Sequence, residues 1–278
     1  MLKDITFGQY YESNSFVHKL DPRTKLSLLL VIIVFIFISK NFVSLSIVTL
    51  FILFSVLLSK IPLKMYLKNI KAILPILIFT LLLNLFLGGT QSVDHNVLFS
   101  WWKLTVTDVS LKRAVYMMLR ILLLIIISAE LTYTTTPNDL TDAIENMLSP
   151  LRFIGLKNVV HTLAMMMTIA LRFIPTLIEE TQKIMNAQKA RGADLESGRL
   201  MQRIKALVPI LIPLLISSVR RAYELAEAME CRCYNGGKGR VRMKRLKFSF
   251  KDLIAFSIVC VICTAVIVLN IYLQSWVI

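Results

Sequence analysis

Five stretches of the chain are almost wholly apolar: Leu26–Ser39, Phe42–Ser59, Ala72–Leu87, Ala114–Ala129 and Leu253–Val277. A helix needs roughly 20 apolar residues to cross a bilayer. The shorter runs reach that length because flanking lysines and arginines lay their stems along the helix and keep their charges in water. The pattern predicts five membrane-spanning helices. Two further runs, Asn158–Leu171 and Ala206–Val219, are shorter and read as partly embedded helices, so the count lies between five and seven.

The polar positions punctuate these runs. Asp21-Pro22 predicts a helix start, since Asp caps well and Pro at the first helical position gives up only an amide without a partner. Thr136-Pro137-Asn138-Asp139 ends one helix and opens a short amphipathic one that closes near Pro150. The stretch from Leu171 to Gly239 has helical periodicity with two faces. Leu171, Ile174, Leu177, Ile178, Thr181, Ile184, Met185 and Gln188 follow i, i+3, i+4, i+7 spacing, while Glu179, Glu180, Lys183 and Lys189 take other angles. A second such helix continues from Ala206–Val219 through Ala222, Leu225, Ala226 and Met229, with Arg221, Glu224, Glu227 and Glu230 elsewhere.

Length alone would allow one or two soluble domains, but the distribution of the apolar residues rules that out, and only 18% of the 278 residues are charged, against about 25% in an average soluble domain. The 32 Lys and Arg against 17 Asp and Glu give a net charge of +15, which in a membrane chain first marks cytoplasmic loops. Basic residues crowd the N-terminal segment, the Lys60–Lys71 connection and the long Tyr133–Asp252 connection. This predicts a cytoplasmic N-terminus, an external Gly88–Lys112 loop with Trp101 and Trp102 at the outer interface, and a C-terminus on the extracellular side. The fold class that follows is an all-α integral membrane protein. Residues 1–132 form a four-helix membrane domain, 133–250 a cytoplasmic domain with two long helices, and 251–278 a last transmembrane helix.

Chemistry-bearing residues are few. Ionisable groups inside a membrane are the default place to seek a substrate path, but here they are Arg120, Glu130, His161 and Arg172, read as structural partners of neighbouring helices. No His-Glu-x-x-His or Gly-x-Ser-x-Gly pattern is present, and Gly237-Lys238 is followed by Gly239, with Arg232 where a phosphate-binding loop needs its first glycine. Catalytic residues, cofactors and metals are therefore not expected. Cys231 and Cys233 lack nearby His or Cys and make a poor metal site.

The two amphipathic helices share an ending. Ala187-Gln188-Lys189-Ala190-Arg191-Gly192 aligns with Ala228-Met229-Glu230-Cys231-Arg232-Cys233 at a constant offset, which also puts Ile184 on Leu225 and Ile178 on Val219. Each helix thus presents an arginine between two small residues, followed by a glycine-containing turn (Gly192, or Asn235-Gly236-Gly237). One such ending is ordinary helix capping, where a cation offsets the helix C-terminus and Gly satisfies the last carbonyls. Two at one offset point further. Small neighbours leave the guanidinium free to enter a groove on another protein, where its planar fork makes charge-assisted bonds.

At these residues the chain resembles the transmembrane (T) component of energy-coupling factor transporters, the EcfT/CbiQ-type family. The resemblance rests on Ala164–Gly192, the His18–Lys25 segment, Thr136-Pro137 with Asp139-Leu140, and Ala228–Tyr234. It implies that the two helices are coupling helices. Ala190, Arg191, Gly192, Cys231, Arg232 and Cys233 would dock into grooves of two ABC-type ATPase subunits, and the membrane helices would hold a separate substrate-binding S component. It further implies that the chain is not itself an enzyme, and that the Ser197–Gly198 loop is a candidate hinge. Cys231 departs from the alanine common at that place in the family; both are small.

Other readings carry weaker patterns. An intramembrane enzyme would need a polar constellation at one depth. A nucleic-acid binder would need aromatic residues among the Lys238–Lys251 charges, which instead suit phospholipid headgroups, so no nucleic-acid partner is expected. A conventional permease with its own solute pathway is the alternative function.

Overall fold

The computed structural model describes residues 9–87, 97–101, 104–148, 157–193, 200–235 and 248–273. Its helices are α1 (Pro22–Ile38), α2 (Phe42–Ser59), α3 (Leu63–Leu87), α4 (Asp108–Thr134), α5 (Pro137–Met147), α6 (Lys157–Ala190), α7 (Leu200–Cys231) and α8 (Phe250–Tyr272). Between α3 and α4 two short strands, β1 (Val97–Trp101) and β2 (Leu104–Thr107), pair antiparallel in the register Phe99↔Val106, Ser100↔Thr105, Trp101↔Leu104. The chain is otherwise an all-α membrane protein. Among the described residues, five helices are long and apolar enough to cross a bilayer: α2, α3 over Leu63–Leu85, α4, α6 over Val159–Ala190, and α8.

This set differs from the sequence expectation in two members. α1 has 17 residues, and α6 continues without interruption from the Asn158–Leu171 run into the amphipathic stretch. Pro175 lies inside α6, where it withholds the amide that would have reached Leu171 and sets its ring against that carbonyl. Trp102, Pro150, the Ser197–Gly198 loop, Gly236, Gly237 and residues 238–247 lie outside the described residues.

The described residues fall into two compact units, Gln9–Thr136 with Arg245–Ile278, and Pro137–Lys244. In the first, one stripe per helix is buried: Leu28, Ile32 and Ile36 of α1, Leu45, Val48, Ile52 and Val56 of α2, Leu123 and Ile127 of α4, Val259 and Val266 of α8. The opposite faces are equally apolar but exposed, as Leu50, Leu57 and Val261 illustrate. Apolarity all round a helix suits a lipid surround.

Helix ends carry the polar fastenings. Asp21 caps α1 with its Oδ1 accepting from the Arg23 amide at 2.9 Å, and Pro22 is the first helical residue. Asp252, in the first turn of α8, accepts from the Ser249 amide through Oδ2 at 2.7 Å. Its Oδ1 accepts from the Asp21 amide and the Thr24 hydroxyl, both at 2.8 Å. One buried carboxylate thus joins the N-termini of α1 and α8. At the other end of α1, the Ser39 carbonyl accepts from Arg120 Nη2 at 2.8 Å and from the Tyr116 hydroxyl. Glu130 of α4, 4% exposed, accepts from the Ser55 hydroxyl of α2. Lys25 Nζ donates to the Thr134 carbonyl at 2.8 Å and the His18 carbonyl at 3.2 Å. Lys25, Ser55, Glu130 and Thr134 also line an otherwise apolar cavity of about 110 Å³ between α1, α2, α4 and α8.

Arg120 and Glu130 therefore serve as helix-to-helix fastenings, each to a different partner, as their spacing along α4 requires. In the second unit His161 of α6 meets Glu145 of α5 at 3.4 Å, and Arg172 is exposed.

Candidate functional site

The arginine endings are built by the same backbone device. α6 ends at Ala190. The Gly192 amide bonds the Lys189 carbonyl at 3.0 Å and the Ala193 amide bonds the Gln188 carbonyl at 3.0 Å. Gly192 itself is left-handed, with φ +83°. That is a Schellman closure, with Arg191 as the C-cap residue. α7 ends at Cys231, and there the Cys233 amide bonds the Glu230 carbonyl at 2.8 Å and the Tyr234 amide bonds the Met229 carbonyl at 3.0 Å. The hydrogen-bond register is identical, and Arg232 is again the C-cap residue.

The left-handed residue of the second closure is Cys233, with φ 55°. The closure of α7 thus falls on Cys233, while Gly236 and Gly237 of the glycine-containing turn expected after it lie outside the described residues. Ala190, Arg191, Gly192, Cys231, Arg232 and Cys233 are all exposed, and both cysteines are free thiols. Each guanidinium stands at a helix C-terminus, whose partial negative charge it offsets.

α6 and α7 pack antiparallel, and three polar contacts fix how. Gln188 Nε2 donates to the Pro209 carbonyl at 3.4 Å, Arg221 Nη2 to Glu180 Oε2 at 2.9 Å, and the Tyr234 hydroxyl to Met165 Sδ at 2.8 Å. The end of each helix thus lies beside the early part of the other. The Pro209 carbonyl is available because Pro213, four residues on, has no amide to give it.

Arg232 lies 23 residues beyond Pro209 along α7, which at 1.5 Å per residue puts the two arginines roughly 35 Å apart. They occupy opposite ends of the pair. Glu180 and Arg221 hold equivalent positions in the two helices, 41 residues apart like Arg191 and Arg232, so equivalent residues meet near the middle of the crossing.

The sequence reading placed all six motif residues but not the Glu180–Arg221 contact, although the same offset relates those two residues and could have flagged it. Asp252 was likewise missed. Ser249-Phe250-Lys251-Asp252 has the spacing of a capping box, but the bonds to Asp21 and Thr24 leave no local trace.

The family model for CbiQ, a cobalt transport protein, matches residues 13–243. The energy-coupling factor transporter transmembrane protein EcfT of Ruminiclostridium cellulolyticum is 49% identical over 270 residues, covering 97% of this chain and 98% of that one. The protein of the same name from Clostridium kluyveri is 52% identical over 255 residues (92% and 93% coverage), and that from Lactococcus lactis 39% over 275 residues (99% and 98%). With identity at that level over nearly its full length, the chain is a multi-pass membrane protein of the CbiQ family and belongs among its energy-coupling factor transporter transmembrane components.

Proposed function

We propose that the chain couples ATP hydrolysis in two ABC-type ATPase subunits to uptake of a vitamin or other micronutrient through a separate substrate-binding S component in the same membrane. The observation that carries this is the pair of identically closed, exposed arginines at opposite ends of one antiparallel helix pair. Roughly 35 Å is too far for one socket, so the geometry favours two receptors, one per arginine. Ala190 and Gly192, and Cys231 and Cys233, keep the surroundings of each guanidinium low. Binding and hydrolysis of ATP would move the receptors, and α6 and α7 would carry that motion as levers. Hydrolysis belongs to the partners, and substrate recognition to the S component.

In this reading α1 crosses the bilayer, and α6, although long and apolar enough to do so, stays on the cytoplasmic side, so residues 133–250 are the cytoplasmic coupling domain between membrane parts 1–132 and 251–278. The N-terminus faces the cytoplasm and the C-terminus the outside. The test is purification of the full chain from its native membrane with identification of what it retains, alongside transport assays. Arg191→Glu and Arg232→Glu are expected each to shed one ATPase and to abolish uptake while membrane insertion is unchanged. Full uptake by the double variant overturns the proposal.

A further inference from the structure

Four polar residues meet at one end of the cavity between α1, α2, α4 and α8, joined by hydrogen bonds. Lys25 Nζ donates to the Thr134 carbonyl at 2.8 Å and to the His18 carbonyl at 3.2 Å. The Thr134 hydroxyl donates to the Glu130 carbonyl at 2.8 Å, and the Ser55 hydroxyl to Glu130 Oε1. That leaves Glu130 Oε2, buried and without a hydrogen-bond partner among the described residues. A buried oxygen without a donor costs free energy. This one belongs to a residue of the cavity wall that is 4% exposed.

The rest of the wall is apolar, with Leu28 and Ile32 of α1, Phe51 of α2, Ile127 of α4 and Val259 of α8. From Lys25 to Ile32 it follows α1 for roughly 10 Å. Water needs two to four polar partners and finds them only at the polar end. An apolar cavity of about 150 Å³ takes up a six-carbon ring, so about 110 Å³ here suits an alkyl segment of similar size. Phe54, Leu58 and Ile258 also line the cavity and are 54%, 38% and 41% exposed. The mouth therefore lies between α2 and α8, on the apolar outer face that lipid covers. What enters comes from the membrane.

We infer that this cavity binds the hydroxyl-bearing end of a neutral lipid, with the hydroxyl on Glu130 Oε2 and about six carbons of its apolar body against Leu28, Ile32, Phe51 and Ile127. A hydroxyl serves Glu130 in either protonation state, donating to the ionised carboxylate and accepting from the protonated one. An ester or a hydrocarbon has no donor to offer. A charged head does not fit: Lys25 and Glu130 already put one charge of each sign on the wall, and a further one would be buried unpaired. Two membrane sources share this chemistry, diacylglycerols and isoprenoid alcohols. The occupant completes the hydrogen bonding of Glu130 and fills the gap between α2 and α8.

The test uses the full chain in phosphatidylcholine nanodiscs. It is irradiated with a diacylglycerol or with an isoprenoid alcohol, each carrying a diazirine near its hydroxyl, and the labelled residues are read by mass spectrometry. At least one probe is expected to label residues 51–58 of α2 and 255–259 of α8, and which one does so assigns the source. Its acetate, with the hydroxyl capped, is expected to label them about tenfold less. Ile258→Trp, which fills the mouth from an exposed position, is expected to cut the labelling similarly. Three results overturn the inference: neither probe labels these residues, the acetate labels them as strongly as the free alcohol, or Ile258→Trp leaves the labelling unchanged.

Discussion

Gly192 and Cys233 do the same backbone work with different side chains. At Gly192 an added Cβ would meet no atom within 4 Å, so Gly192→Ala carries only the left-handed conformational cost, about 1 kcal/mol. Cys233 already bears that cost, and Cys233→Gly should return about 1 kcal/mol to the α7 end. Amide hydrogen exchange at Ala193 and Tyr234 reads both, with faster exchange after the first substitution and slower after the second. His18 offers a second check at this scale. Its Nε2 donates to the Tyr11 carbonyl at 2.8 Å, which leaves Nδ1 to accept from the Ser15 hydroxyl at 2.6 Å. Burial pushes the imidazole below its usual pKa and nearby Lys25 adds to this, against the Tyr11 bond, which favours the charged form. The unfolded chain therefore takes the proton more readily. The contribution of His18 is full above the ordinary imidazole pKa of about 6.5 and is lost as pH falls through the lower folded value. Thermal unfolding of the purified chain should show this acid-side loss, and His18→Gln should flatten it.

At the scale of elements, Asp252 makes the clearest claim. Three hydrogen bonds end on one buried carboxylate, shared by α1 and α8. Asp252→Ala leaves the Asp21 amide and the Thr24 hydroxyl buried without that partner. It should cost about 2–3 kcal/mol, and Asp252→Asn less, since Asn keeps one acceptor; midpoints of unfolding in lipid nanodiscs measure both. What could be read from the sequence follows the range of the interaction. The Asp21-Pro22 start, the Pro137 start and the arginine endings are local, and the helices begin and end where those signals stand. The α1–α8 joint spans most of the chain length and is invisible locally. β1 and β2 escaped because strands of five and four residues, inside a loop bounded by strong membrane runs, show too little alternation to stand out. α6 was divided because its apolar half and its two-faced half have different compositions, while the backbone runs through both.

At the scale of the whole molecule, orientation is the first thing to settle, and the chain carries its own probes. Cys231 and Cys233 are exposed, whereas Cys260 and Cys263 lie in α8. A membrane-impermeant maleimide should leave intact cells unlabelled and modify Cys231 and Cys233 in inverted vesicles; labelling in intact cells would reverse the proposed topology. The contact between Gln188 and the Pro209 carbonyl has a consequence of its own. Pro213 opens a crease in one lever, and an amide from the sibling lever seals it. Positions 188 and 213 are thereby yoked: a chain that replaces the proline can shed the amide freely, whereas one that keeps the proline and loses the amide leaves a raw seam beside the first plug.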